Sequence, residues 1–475
     1  MASNGHFVKL KSTISVLGDD PPRTHRINAN SFQQSALLTV NGWQYAGFYQ
    51  SKDAEGNSST CYPTLARRCL RSSLGEDDGP WEYLVFDDYE QTTDDGHNTI
   101  SIGICTGDGT IHVSYDHHCD PLRYRFSIKG LASRPLDHAW HKSLFTATAD
   151  TLPGLPHSGV MDEVSYPRFV AVNADMLLTY RIGQAGSGSD ILHAYSSTTH
   201  SYTYLGTFLA GTDNSPYING IDHDARRNLL HVSWTYRAFV AFDDPTRAAH
   251  KAQAGPNGPE NNYDLCYAWS ADGGGVWRGG EEAGAGETVV LADLGREESV
   301  RPGTEGIRAF GIEKGNGVLN QEGQCVALDG AFYVLNRQKW GEGEGQKVER
   351  WMLYWRAVEG PWKRSPIDGY FPTETGSRGS VCADKDSNVY AILPGNTDSS
   401  LSIVRASLVE GEMRFETVWR QDGFDGEPLV DQAKMDDRGI ISIFTRTDRD
   451  SDGKRKIVVI DVDLGARVGH GVDVT

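Results

Sequence analysis

Ile102-Gly-Ile-Cys-Thr-Gly-Asp108-Gly109-Thr-Ile-His112-Val113 reads as two short apolar strands folded about an Asp-Gly turn. Six further stretches repeat this pattern: Ala36–Phe48, Phe169–Tyr180, Ile218–Trp234, Gln324–Val334, Val381–Ala391 and Gln432–Ile443. Each has a turn of Asp, Asn or Gly between runs rich in aromatic and β-branched residues. A single copy is too small to bury its own faces, so the seven must pack against one another. Further strand candidates lie between the copies, among them Leu192–Ser196, Tyr202–Gly206 and Trp351–Arg356. Together they supply enough strands for seven four-stranded antiparallel sheets arranged radially. The expected fold is therefore all-β, a seven-bladed β-propeller formed by residues 1–475 as one domain. No long helical periodicity competes with it.

Ser270-Ala-Asp272-Gly-Gly274-Gly-Val-Trp277 fits the S-x-D-x-G-x-x-W pattern of an Asp-box. Its Asp and Gly suit a tight hairpin, and its Trp should pack between sheets, a structural role. The spacing between the fourth and fifth copies is about twice the others. The Gly/Pro/Ala-rich pieces there predict long loop insertions around residues 246–262 and 279–320.

Formal charge is -19, from 64 acidic and 45 basic residues, which disfavours nucleic acid and anionic membranes as partners. An anionic substrate remains compatible, because a local Arg/His pocket can outweigh a field screened over about 8 Å. No run of eighteen apolar residues occurs, so no helix that could span a bilayer is expected. The start, Met1-Ala-Ser-Asn-Gly-His6, lacks the basic and apolar regions of a signal peptide, leaving an intracellular protein or a mature secreted form. The Asn57-Ser58-Ser59 sequon and the nearby Cys61 and Cys69, close enough in sequence to close a small loop, favour the secreted form. The seven cysteines include no CxxC pair and no zinc-like spacing.

Propeller ligands bind at the axial mouth, where strand ends from several blades converge. A hairpin returns the chain on itself, so His97 and His117/His118, which flank the second copy, emerge at one end. Tyr166 enters the third copy and Arg181 leaves it, so both lie at that same end of the neighbouring blade. Two adjacent blades would then present His, His, Tyr and Arg together. Such a set suits removal of a proton from a carbon next to a carboxylate, a step that needs a base, an acid and a cation. Arg181 could neutralise the carboxylate bidentately, with the proton-transfer roles open to His97 and Tyr166. His112 and His231 sit inside strands and are read as structural.

These residues resemble the BNR-repeat propeller polysaccharide lyases, which include ulvan lyases and the fungal L-rhamnose-α-1,4-D-glucuronate lyases that act on gum arabic. The likeness rests on Asp95-Gly96-His97-Asn98, on His112 with His118 and Pro121-Leu122-x-Tyr124, on Tyr166-Pro167-x-Phe169, and on Tyr180-Arg181-x-Gly183. It continues through His231-Val-Ser-Trp234-Thr-Tyr-Arg237, Asn320-Gln321-Glu-Gly323 and Tyr354-Trp-Arg356. The resemblance implies β-elimination at a uronic acid to give a 4,5-unsaturated uronate, with release of L-rhamnose from rhamnosyl-glucuronate termini as the nearest specificity. It matches His97 and Tyr166 to proton transfer and Arg181 to the carboxylate, with His118 or His117 as a second charge-stabilising histidine. Asn98, Tyr124, Trp234, Arg237, Asn320, Gln321 and Arg378 are the matching candidates for substrate contact. No cofactor is required by that chemistry; some relatives carry a structural metal such as calcium, although no complete ligand set is visible here. The expected partner is an anionic polysaccharide, and the expected state a monomer. Competing readings are an endo-acting ulvan-type lyase, a sialidase-like hydrolase, and a non-catalytic propeller lectin, whose binding residues should recur in every blade.

Overall fold

The computed structural model describes residues 10–53, 55–70, 78–241, 256–280, 288–341, 347–369, 376–395 and 398–467. Seven antiparallel sheets follow one another along the chain and form the blades of a propeller. Four have four strands, while the second has three, the third five and the fourth six. In the second blade the outer strand is reduced to isolated bridges, Tyr124 to Ala149 and Ser127 to Phe145.

The ring closes through the termini. Strand Leu10–Asp19 pairs antiparallel with Lys456–Arg467, so the seventh blade takes its outermost strand from the opposite end of the chain. Seven apolar clusters lie between successive blades, which is where a stack of two-faced sheets must bury its surface. Gly103 shows how close the second and third blades come: a Cβ there would lie 2.4 Å from the Phe169 ring.

Six of the seven repeats form the expected hairpins, and the last does not. Residues Gln432–Arg438 are an α-helix, and the innermost strand of the seventh blade is Leu429–Val430 instead. The helix has end signals on both sides. Asp431 accepts the Lys434 N–H at its start, and Gly439 takes a left-handed conformation at φ 66° at its end. The predicted insertions also differ from plain loops. Residues 242–255 and 281–287 lie outside the described residues, but Val289–Asp293 and Arg308–Phe310 are strands of the fourth blade. The Asp-box behaves as read: Asp272 accepts the Val276 N–H at 2.9 Å, and Trp277 is buried against Phe208.

No disulfide joins Cys61 to Cys69. They occupy the two ends of one nine-residue strand, and at about 3.3 Å per residue they stand far beyond bonding reach. All seven cysteines are free thiols. Among the described residues, no helix is long and apolar enough to cross a membrane.

Candidate active site

The second blade delivers two histidines through loops shaped by one aspartate. Asp95 accepts the backbone N–H of His97 at 2.9 Å, which folds Asp95-Gly96-His97 into a tight Asx turn. A side chain at Gly96 could not fit, because its Cβ would meet the Arg26 carbonyl at 2.9 Å. The Asp95 carboxylate also takes Nδ1 of His97 at 2.5 Å and Nδ1 of His118 at 2.8 Å. Burial by itself would raise the Asp95 carboxyl, but the hydrogen bonds from His118 and His97 hold it far below the usual carboxylate range. Because the carboxylate stays ionised, each imidazole presents its Nδ1–H to Asp95 and turns its Nε2 edge away from it. The two rings stack with centroids 4.0 Å apart. Burial first, then the His97 charge, lowers His118 to about 4, so His118 is neutral near pH 7. His97 is the more open of the pair, with 35% of its side chain exposed against 16% for His118.

The third blade contributes a strained tyrosine above a buried arginine. Tyr166 lies in strand Val164–Val172 with φ +57°, a conformation that bulky residues rarely adopt. The pairing register slips between Ser165 and Arg168, so Tyr166-Pro167 forms a bulge, and bulges re-aim side chains beside functional sites. The strand His118–Asp120 from the second blade adds to this sheet, with His118 opposite Ser165. That pairing sets the imidazoles beside the phenol: the Tyr166 ring centre is 5.9 Å from His97 and 6.3 Å from His118. Beneath it the Arg181 guanidinium lies 4.8 Å from the ring centre, and donates to Tyr217 Oη at 3.0 Å and Ser165 Oγ at 3.2 Å. Burial raises the Tyr166 phenol well above its usual value, and the charges of Arg181 and Arg237 oppose that rise. Tyr166 is therefore a neutral phenol at neutral pH.

From these two blades a circuit of side chains runs around the mouth. Phe32 stacks on His97 with ring centres 4.7 Å apart, and the Arg378 guanidinium lies 4.7 Å from the Phe32 ring centre. Arg378 donates to the Asn320 carbonyl at 2.6 Å, and Arg237 donates to the Asn320 side chain at 2.7 Å. Arg237 covers the Tyr217 ring at 4.6 Å, and Tyr217 returns to Tyr166 at 6.2 Å. The seating of Arg378 is fixed by Glu427, which accepts its backbone N–H at 3.0 Å.

Several expected residues stand elsewhere. His117 is buried, and its Nε2 accepts the Arg123 N–H at 2.7 Å, so of the two candidates His118 is the one beside His97. Arg181 is only 1% exposed and is covered by Tyr166, which excludes the expected bidentate grip on a substrate carboxylate in this arrangement. Its charge reaches the mouth through the tyrosine ring. Tyr124 and Trp234 are corrections as well, both buried inside the blades, with Tyr124 hydrogen-bonded to His112. Asn98 is buried and donates to Asp116 at 2.6 Å, bracing the loop rather than facing the mouth. Gln321 is buried behind Asn320, whose amide it accepts at 3.1 Å.

Asp95 was read from sequence only as part of the motif around His97, with no role of its own, and Phe32 and Tyr217 were not singled out. Asp95 and Tyr217 had a usable signal, since one adjoins His97 and the other enters the fourth repeat at the same end as Tyr166 enters the third. Phe32 precedes the first repeat and had none. Asp95, His97 and His118 are also the one group of three or more His, Cys, Asp or Glu among the described residues whose ligand atoms lie within 4.8 Å of one another. Two imidazoles and a carboxylate suit a transition ion better than calcium, which prefers oxygen, and here both Nδ1 atoms are already hydrogen-bonded.

Relatives with this architecture are known. The chain is 23% identical over 266 residues to the long isoform of ulvan lyase from Alteromonas sp. (strain LOR), an alignment covering 50% of this chain and 24% of that protein. The corresponding ulvan lyase of Pseudoalteromonas sp. (strain PLSV) matches to the same extent. The chain thus spans about a quarter of the length of these curated relatives. Among solved structures, polysaccharide lyase Uly1 superposes with a TM-score of 0.63 at 15% identity, covering 98% of this chain and 94% of that one. An ulvan lyase bound to -[GlcA(1-4)Rha3S]- gives 0.57 at 14% identity, covering 93% of this chain and 95% of that one. At such identities the superpositions establish the fold. Residues 43–369, well over half of the chain, match the model of the BNR repeat-containing family, and the protein belongs to that family.

Proposed function

We propose that the protein is a polysaccharide lyase that cleaves a uronic-acid glycan by β-elimination. The observation that carries this reading is the pairing, across one mouth, of an Asp95-oriented His97 imidazole with the neutral phenol of Tyr166. In the proposed step His97 Nε2 removes the proton from C5 of the uronate. The electron pair forms the C4=C5 double bond, the C4–O bond breaks, and Tyr166 protonates the departing oxygen. The carboxylate must be neutralised for C5 to be acidic enough, and Arg378, with 12% of its side chain exposed, is the guanidinium best placed to hold it. Arg181 then supports Tyr166, easing the charge that passes through the phenol.

We place the preferred cleavage at rhamnosyl-α-1,4-glucuronate termini, releasing L-rhamnose, with ulvan-type cleavage as the second reading because the named relatives are ulvan lyases. A sialidase-type hydrolysis is less well supported. Two carboxylates near the mouth, Glu322 and Glu427, are each held by an arginine at 2.7 Å. We further read the protein as a secreted monomer acting on an anionic polysaccharide, in keeping with the exposed sequon residue Asn57. Incubation with gum arabic and with ulvan decides the matter: the conjugated uronate gives new ultraviolet absorbance, whereas hydrolysis leaves saturated sugars. Absence of the unsaturated product on both substrates and on a wider uronan panel sinks the proposal.

A further inference from the structure

One buried glutamate touches both sides of the mouth. Glu427 precedes Leu429–Val430, the innermost strand of the seventh blade, and is 1% exposed. A side chain at the preceding Gly426 would not fit, since its Cβ would lie 2.5 Å from Thr445 Oγ1 and 2.6 Å from the Arg446 nitrogen. The Glu427 N–H donates to the Ala29 carbonyl at 2.8 Å, which stitches this segment to the chain leading into the first blade.

The two carboxylate oxygens are divided between segments far apart in the chain. Oε2 accepts the Ser31 N–H at 2.5 Å, and Oε1 accepts the Arg378 N–H at 3.0 Å. Ser31 opens the 3-10 turn Ser31–Gln33, which carries Phe32 to its stack on His97. Asn30 caps that turn by accepting the Phe32 N–H at 3.0 Å, and it donates to the Gly96 carbonyl at 2.8 Å, one residue from His97. On the other side the backbone around Arg378 is pinned twice more. The Gly379 N–H donates to Glu322 at 3.0 Å, and the Ser377 carbonyl accepts from Arg337 at 2.6 Å.

Burial by itself would raise the Glu427 carboxyl, but the charges of Arg26 and Arg378 and the two N–H donors hold it below the usual carboxylate range. Arg26 takes the short ion pair at 2.7 Å, whereas Nη1 of Arg378 stands at 3.7 Å, beyond hydrogen-bond reach. Glu427 thus grips Arg378 by its backbone and does not cap its guanidinium. Bidentate recognition of a carboxylate demands a guanidinium of fixed place and orientation. We infer that Glu427 is a positioning residue: it holds Arg378 and the Phe32 turn at one spacing, so that a uronate carboxylate seated on Arg378 brings its ring beside His97. The inference rests on Arg378 as the carboxylate receptor and not on elimination as the outcome.

A glutamine amide offers one acceptor oxygen where two are in use, so Glu427→Gln turns an NH2 group toward either Ser31 or Arg378. The test is calorimetric binding of a rhamnosyl-glucuronate disaccharide and of its neutral, carboxyl-reduced form, in the full chain carrying His97→Ala to prevent turnover. Glu427→Gln should weaken the acidic disaccharide about tenfold and leave the neutral one within about twofold. With Arg378→Gln also present, the same substitution should cost less than about twofold, because the group it acts through is already gone. Glu427→Asp keeps the buried charge beside Arg26 but is one methylene shorter. It should give an intermediate loss, and it carries the test if Glu427→Gln does not fold. Equal weakening of both disaccharides, or an undiminished loss without Arg378, would assign Glu427 to stability alone and overturn the inference. So would an unaltered mouth that does not prefer the acidic form. If that preference is present and depends on Glu427 while the unaltered protein yields no unsaturated product from uronans, the lyase reading falls and this one stands.

Discussion

The second and third blades use histidine and tyrosine twice, and the two uses differ. At the mouth, His97 and His118 share the Asp95 carboxylate and stand beside Tyr166. Deeper between the same blades, His112 touches Thr110, Tyr124 and Tyr202, all neutral hydroxyl groups, and its ring packs 4.6 Å from Tyr195. His112 has no exposed surface, and burial drives it down to about 3. An imidazole that can neither meet solvent nor gain a proton is a packing element. The difference teaches that residue type supplies the option of acid–base chemistry, while an ionised partner and an open edge make it usable.

The strongest way to break the contrast is to remove the proton-transfer groups. His97→Ala and Tyr166→Phe should each lower kcat on a cleavable uronan by about 10²–10⁴-fold with little change in Tm. If His112→Phe lowered kcat as much while folding normally, the two clusters could not be told apart by function. Arg181→Met should cost about 10²-fold in kcat. It should also shift the alkaline limb of the rate profile upward in pH, because the phenol loses the charge that restrains its rise. A Met variant with an unmoved profile would show that Arg181 acts by packing alone.

For the deeper cluster the expected effect is on stability. His112→Ala should cost about 3 kcal/mol in urea unfolding, the scale of a cavity in a closed core, with kcat retained. The pH dependence sharpens the same point. His112 and His118 have folded values of about 3 and 4, below the ordinary 6.5, so between those values and 6.5 the unfolded chain binds protons that the folded protein does not. Their contribution is present above pH 6.5 and is lost as pH falls toward 4 and then 3. His112→Phe should flatten the lower part of that acid limb; an unaltered limb would contradict the burial account. The smallest effect is expected for His117→Asn, about 1 kcal/mol of stability with near-native kcat, set against a large kcat loss for His118→Ala.

Much of the architecture was legible because sheet patterning is local. Alternating apolar runs around Asp-Gly turns mark strands wherever they occur, and a hairpin places its two ends together whatever surrounds it. That reasoning put His97, the His117/His118 pair, Tyr166 and Arg181 at one end of two adjacent blades. The seventh repeat misled because Gln432-Ala-Lys-Met435 is compatible with strand or helix, and the Asp431 and Gly439 caps decided for helix. Tyr124 and Trp234 misled because strand membership does not reveal which face meets another blade.

Repeat number, strand polarity and the ends at which the histidines, Tyr166 and Arg181 emerge follow from the order of residues along the chain, since each depends on turns only a few residues long. Three features depend on contacts between distant segments. One is the closure of the ring by Leu10–Asp19 on Lys456–Arg467, and another is the choice of His118 over His117 through pairing with Ser165. The third is the burial of Arg181, which the bulge at Tyr166-Pro167 covers from its own hairpin and Tyr217 covers from the fourth blade. Such contacts join residues whose separation along the chain carries no pattern, and their energies exist only once the blades have packed.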